Sequence, residues 1–149
     1  MHRLHFDVFR DALMTNKNFQ LDIVTPAKTV YSGEVQSFTA PGVVGNFQVL
    51  FNHAPLLSSV GVGEVKVIET NGTKLLFAIS GGFVEVKSNK VILLAESAER
   101  PDEINIARAE KSRKRADERL AAKDKSIDSE RARIALLRSI NRLKIVTKI

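Results

Sequence analysis

The side-chain pattern changes at Pro101, and no single kind of element can span both sides of it. Residues 1–99 alternate apolar positions between Gly-marked turns and carry 8 Lys/Arg against 9 Asp/Glu, net −1. Residues 100–149 carry 15 Lys/Arg against 8 Asp/Glu, net +7, with no Gly and no Pro beyond Pro101. Alternation is the period of a strand, whereas a charged run without Gly or Pro suits a helix. A near-neutral β module is thus joined to a basic helical arm. The net charge of +6 belongs to that arm, which points to an acidic partner for it.

A chain of 149 residues fits one domain with an appendage, and its first hundred residues suffice for a core. The absence of Cys removes disulfides and thiolate metal sites, so packing must hold the fold. No apolar run approaches the roughly 20 residues of a membrane span, so a soluble or peripheral protein is expected. Residues 1–18 read as an extension without fixed structure. Leu4, Phe6, Val8, Phe9 and Leu13 are too scattered for a secretory signal, and Met14 stands as a natural start. An amphipathic anchor is the alternative for this segment.

From Phe19 to Glu96 strand signals recur at short intervals. Leu21 and Ile23 alternate up to Pro26, and Val30, Val35 and Phe38 alternate around an expected turn at Ser32-Gly33. Asn71-Gly72 lies between two alternating runs and predicts a two-residue hairpin with both central residues at positive φ. A second turn is expected around Ser88-Asn89. Short strands at this spacing predict an antiparallel β sandwich, or flattened barrel, over residues 19–97.

Beyond Pro101 the period becomes helical. Pro101 suits a first helical position, and Asp102 and Glu103 suit the positive end of the helix dipole. The stripe Ile104, Ala109, Ala116, Leu120 is thin and supports only loose packing. Ser126-Ile127-Asp128 reads as a fresh N-terminal cap. The second helix then places Ile127, Ile134, Leu137 and Ile145 on one face, widened by Leu136, Ile140 and Leu143. Residues 101–147 therefore form either a two-helix hairpin or one long rod.

Catalytic constellations are thin. His53 stands alone in Phe51-Asn52-His53-Ala54-Pro55, without the ligands a zinc site requires. His53, Ala54 and Pro55 read as a structural loop tied by hydrogen bonds. The glycine pairs match no phosphate-loop pattern and suit turns and close strand contacts. A non-catalytic protein is expected. A basic hairpin can bind nucleic acid through phosphates alone. No aromatic residue follows Phe83, so the arm offers no stacking platform, and this reading stays the alternative.

The strings LDIVTP, VYSGEV, GNFQVLFNHAPLL, AISGGFVEV and VILLAESAERPDEINIARA, followed by a basic helix ending RSINRL, occur in this order from about Phe19 to Val146. In order and spacing they resemble the ε subunit of the F-type ATP synthase. The resemblance implies a ten-stranded β sandwich and a two-helix hairpin. It also implies a rotor part at the foot of the central stalk, where the sandwich grips the γ subunit and meets the loops of the membrane c-ring. That would place the chain at the cytoplasmic face of the inner (plasma) membrane, coupling proton or sodium flow to rotation. In many members the arm brakes ATP hydrolysis, here by contact with acidic segments of the β subunits of the catalytic head.

The resemblance also implies sites. The ring contact maps to Gly45, Asn46 and Phe47, with Asn46 where the family commonly has a carboxylate. Some members bind ATP through an Ile/Leu-Asp-x-x-Arg-Ala motif, which here reads Ile104, Asn105, Arg108 and Ala109, with Asn in place of Asp. Glu99, Arg115, Arg138 and Arg142 fall on further positions around the nucleotide. Guanidinium groups suit phosphate oxygens, but Asn105 lacks the charge of the motif's Asp. Cofactors are therefore expected to be none, or at most weak regulatory ATP.

Overall fold

The computed structural model describes residues 17–122 and 124–148. Of the extension expected over residues 1–18, positions 1–16 lie outside the described residues. Seven strands follow: β1 (Phe19–Val24), β2 (Thr29–Gly42), β3 (Gly45–Val49), β4 (Leu56–Glu69), β5 (Lys74–Lys87), β6 (Lys90–Ala95) and β7 (Ala98–Glu99). They are hydrogen-bonded in the order β1-β6-β5-β4-β2-β3, β7 joins β5, and β1 pairs back with β2 to close the sheet. Only β1 and β6 run parallel among these pairs. The result is the expected flattened β barrel.

The strand count differs from the ten implied by the family, and the reason lies in β2, β4 and β5, each 14 residues long. Each reverses its inward parity midway. In β5 the core residues are Phe77 and Ile79 before Gly81-Gly82, and Val84 and Val86 after it. In β4 they are Val60 before the Gly61-Val62-Gly63 run and Val65 and Val67 after it. In β2 they pass from Val35 to Phe38 and Ala40, and the register against β4 shifts between Val35 and Ser37. Against β2 the register shifts, whereas β4 and β5 keep one register through the reversal and turn together at Gly61 and Gly81-Gly82. Each face changes sides there, so one continuous strand serves both layers of the sandwich. Counted as two segments each, these strands supply the family's ten.

Gly82 fixes the crossover in β5. It takes φ 141°, and a Cβ there would stand 1.9 Å from the Leu94 carbonyl oxygen, so no other residue fits.

Two turns depart from expectation. Ser32-Gly33 lies inside β2, paired with Asp22 and Leu21 of β1, and the bend falls instead near Pro26-Ala27. The Ser32 hydroxyl donates to Asp22 Oδ1 at 2.6 Å, and together with Gln20 it holds the Asp22 carboxyl below its usual range. The Asn71-Gly72 hairpin is present but needs only one positive φ, at Gly72 (87°). Gly72 N–H donates to the Glu69 carbonyl (2.9 Å) and Glu69 N–H to that of Thr73 (2.8 Å). This closes a three-residue loop with glycine at its left-handed position. The two-residue turn with both central φ positive is made by Ser88 (50°) and Asn89 (58°), between the paired Lys87 and Lys90.

The arm also differs from the reading at Pro101. Pro101–Glu103 is a short 3-10 turn, and the first long helix, α1 (Ile106–Ala121), starts only after Asn105 caps it. Ile104 leaves the helical stripe and is buried with Leu76, Ala78 and Ile145 in a second cluster. The second helix, α2 (Ser129–Val146), is capped by Asp128, whose Oδ1 accepts from Arg131 N–H at 3.1 Å. The hairpin, not the rod, is the form present, with α1 packed on α2 and α2 packed on β4 and β5. Leu137 and Ile140, expected in the apolar face of α2, are 42% and 44% exposed.

Tyr31, the only tyrosine, packs edge-on against Phe77 with ring centroids 6.1 Å apart and donates its hydroxyl to Glu69 Oε2 at 3.0 Å. Burial, then the bond to Glu69, raises its pKa from 10.0 to about 12. The folded state thus favours the neutral phenol. Its stabilising contribution is complete below pH 10.0 and is lost as pH rises through about 12. Spectrophotometric titration of the native chain should show phenolate forming near the upper value, and Tyr31→Phe should remove this alkaline loss of stability. A native titration centred at 10.0 would contradict the bond to Glu69.

Candidate functional site

The charged arm meets the sandwich along one face of α2. Arg138, Asn141, Arg142 and Ile145 recur at helical spacing and fall on that face, and Lys148 follows just beyond the helix end. Arg138 Nη2 pairs with Glu96 Oε2 at 2.9 Å, Arg142 Nη2 with Glu99 Oε1 at 2.7 Å, and Lys148 Nζ with Glu64 Oε2 at 2.5 Å. Asn141 Nδ2 donates to the Gly63 carbonyl at 2.8 Å. Between these polar contacts Ile145 is 1% exposed against Leu76, Ala78 and Ile104.

Docking therefore belongs to α2 and not to the thin stripe of α1. Ala109 and Ala116 of α1, and Ala132 and Ser139 of α2, are the buried positions along the helices' mutual seam. An alanine methyl contributes only about 0.8 kcal/mol when buried, against about 1.5–3 kcal/mol for an isoleucine side chain. One Ile145 outweighs either alanine of α1.

The candidate nucleotide residues are only partly assembled. Arg115 and Arg138 line one open groove of about 1000 Å³ between the helices. Arg142 and Arg138 share a smaller hollow with Ser80, Ser97 and Ser112, beside Glu96, and both guanidiniums already hold carboxylates. Arg108 sits about 10 Å from Arg115 along α1, in a separate concavity with Asn105, Lys111 and Lys114. The four arginines do not converge in the folded arm. Asn105 Oδ1 accepts from Arg108 N–H at 3.0 Å as the N-cap of α1. Ala109 is buried in the helix seam and Ile104 under α2.

The ring-contact candidates lie at a hairpin. Gly45 and Asn46 pair with Gly42 and Pro41, and Phe47 packs partly against the main core. Val43 and Val44 form the tip, 66% and 98% exposed. Asn46 shares a groove with Leu137, Ile140 and Lys144 of α2, an adjacency the sequence did not reveal. In the His53 loop the backbone N–H of His53 donates to the Leu50 carbonyl (3.1 Å) and its Nδ1 to that of Ala54 (2.7 Å). Ala54 and Pro55 are exposed. Neighbouring Asn52, at φ 62°, exchanges hydrogen bonds with Asn89, which anchors this loop to the β5–β6 turn.

One surface was missed altogether. Leu57, Phe83 and Leu94 are 72%, 56% and 55% exposed. Phe83 stands opposite both Ser59 and Leu94, so with Leu57, two residues before Ser59, they share an outer face of the sandwich. The available signal was the unbroken run Val91 to Ala95, since a strand with one solvated face alternates instead. A second signal is that no Asp, Glu, Lys or Arg occurs between Glu34 and Glu64.

Comparison with known proteins is decisive for the family. Residues 18–101 match the profile described as ATP synthase, Delta/Epsilon chain, beta-sandwich domain, and residues 102–147 match the corresponding long alpha-helix domain. The chain belongs to the delta/epsilon chain family of ATP synthases. It is 44% identical over 128 residues to the ATP synthase epsilon chain of Desulforamulus reducens, covering 86% of this chain and 96% of that one. It is 38% identical over 135 residues to the epsilon chain of Syntrophomonas wolfei, covering 91% and 98%. Its fold is similar to a chain in the Euglena gracilis mitochondrial ATP synthase (OSCP/F1/c-ring) structure. That match has a TM-score of 0.73 at 22% identity, covering 80% of this chain and 76% of that one. The nucleic-acid reading finds no support in these matches. No helix among the described residues is long and apolar enough to cross a membrane.

Asn105, which stands where the family motif has Asp, caps α1. Asn105→Ala should cost about 1 kcal/mol of stability, measured by chemical unfolding followed through helical circular dichroism. Asn105→Asp should be at least as stable as the natural chain, since it keeps the acceptor and adds charge at the positive end of α1.

Proposed function

We propose that this chain is a non-catalytic central-stalk subunit of a rotary ATP synthase, associated peripherally with the membrane through the complex. The observation that carries this reading is the exposed apolar face of Leu57, Phe83 and Leu94 on a sandwich of the epsilon type. A contiguous apolar face on a soluble domain marks a protein contact, and in the family the sandwich grips the γ subunit. The hairpin tip at Val43-Val44, followed by Gly45, Asn46 and Phe47, then serves as the contact with the c-ring loops. That contact is polar and apolar but uncharged, since Asn46 replaces a carboxylate. The side of the membrane assigned is the cytoplasmic one, by the same family reading.

The arm acts as a brake on ATP hydrolysis, and acidic segments of the β subunits are its partners in that state. The net +7 of residues 100–149 supports this, because the arm carries more cations than its own carboxylates neutralise. Truncation after Arg100 should raise hydrolysis by the assembled complex while leaving assembly intact. Unchanged hydrolysis over a range of ATP concentrations would remove the brake from the arm's role.

Regulatory ATP, where it binds at all, binds weakly. Asn105 offers a neutral acceptor, and Arg138 and Arg142 are engaged by Glu96 and Glu99. Calorimetry on the isolated subunit should find weak binding or none, with Asn105→Asp tightening it by about 1 kcal/mol, the scale that separates charged from neutral hydrogen bonds. Sub-micromolar binding by the natural chain, or no gain from the Asp, would contradict this reading.

A further inference from the structure

We propose that Glu64, Glu96 and Glu99 of the sandwich form a built-in acidic decoy. They hold Arg138 and Arg142 of α2, and Lys148 just beyond its end, in the folded arm, so release of the arm is governed by ionic competition and needs no nucleotide. The inference rests on reading the arm as a mobile brake and adds what keeps that brake disengaged.

The three pairs are aligned, not scattered. Arg138 and Arg142 stand one turn apart on α2 and Lys148 follows two residues beyond its end, and all three cations reach carboxylates of the sandwich. The carboxylates come from two separate places, β4 for Glu64 and the β6–β7 region for Glu96 and Glu99. Nothing local in the chain requires them to line up. The rungs differ in quality. Arg142 sends both Nε and Nη2 to Glu99 Oε1, at 2.8 and 2.7 Å, with both side chains about one-third exposed or less (33% and 29%). Arg138 uses Nη2 only, while its Nε is buried without a hydrogen-bond partner. Arg138 is therefore the rung most easily drawn to another carboxylate, and Arg142 the one that opens last.

The apolar part of the contact is small. Ile145 is the only residue of α2 in the second cluster that is fully buried, with Val146 beside it. A contact this size holds a helix only together with the ion pairs, and partly exposed pairs weaken as salt rises. An acidic surface of the catalytic head offers the same chemistry as the three glutamates. The cations cannot serve both at once, so docking on the sandwich and insertion into the head exclude each other.

The full chain lacks Cys, which allows a clean distance measurement. Dyes at Lys74→Cys on β5 and Lys125→Cys between the helices, both exposed positions, would report the sandwich-to-arm distance by resonance energy transfer. Raising sodium chloride from about 0.05 M to about 1 M shortens the screening length from over about 10 Å to about 3 Å. The transfer should fall along this titration. The triple variant Glu64→Gln, Glu96→Gln, Glu99→Gln should show an open-to-closed ratio about tenfold higher at low salt, and little salt dependence. The salt titration of the unsubstituted glutamates needs no folding of the variant. An arm that stays equally closed in both measurements overturns the decoy, whatever it does to hydrolysis. The truncation assay tests the brake separately.

Discussion

The reversal of parity in β5 at Gly81-Gly82 governs where everything else can go. Before it, Phe77 and Ile79 point into the barrel while Leu76, Ala78 and Ser80 point outward and are nonetheless buried. The arm lies over them: Leu76 and Ala78 meet Ile104 and Ile145, and Ser80, whose hydroxyl meets that of Ser97 at 2.5 Å, lines a hollow with Arg138 and Ser139 of α2. After it, Val84 and Val86 point inward and Phe83 outward, on the other layer. A single strand thereby presents one covered face and one open face. Gly82, with no room for a Cβ beneath the Leu94 carbonyl, keeps the two from merging.

This division explains which parts of the fold were legible in the sequence. Alternation located the strands, because most have one solvated face. The same rule, read for its failures, also marks the interfaces. Leu75 to Ile79 and Val91 to Ala95 are unbroken apolar runs, and each belongs to a strand with both faces in use. The arm covers the first, and nothing among the described residues covers Leu94 of the second. Turn chemistry was legible in kind but not in detail. Asn-Gly supplied a turn, yet the conformation with two positive φ values went to Ser88-Asn89, because the register of β5 and β6 leaves only two residues there.

The ion pairs were not legible, and the reason is separation. Arg138 and Glu96 are 42 residues apart, Arg142 and Glu99 are 43, and Lys148 and Glu64 are 84. Local spacing shows which cations share a helix face but not what that face meets. From Asp128 onward only that residue and Glu130 face a long run of cations, so the excess charge looked available to an outside partner. In the folded arm four of that run's six cations are met by the chain's own glutamates: Arg138, Arg142 and Lys148 by those of the sandwich, and Arg133 locally by Glu130. The charge asymmetry at Pro101 thus acts inside the molecule before it acts outside it.

The same accounting of guanidiniums connects the arm's posture to its chemistry toward phosphates. A nucleotide held between the sandwich and the helices would draw on Arg138 and Arg142, the groups that now hold Glu96 and Glu99. A phosphate would therefore compete with a carboxylate for Arg138 and Arg142, and would gain from those two only the difference between the contacts. At the other end of the site, Asn105 caps α1 through its single carbonyl oxygen, which is already engaged by Arg108 N–H. An Asp there has a second oxygen for a ligand while the first still caps the helix. Loss of that oxygen and capture of the two arginines act in the same direction. On the proposed reading, both act against nucleotide binding in the folded arm.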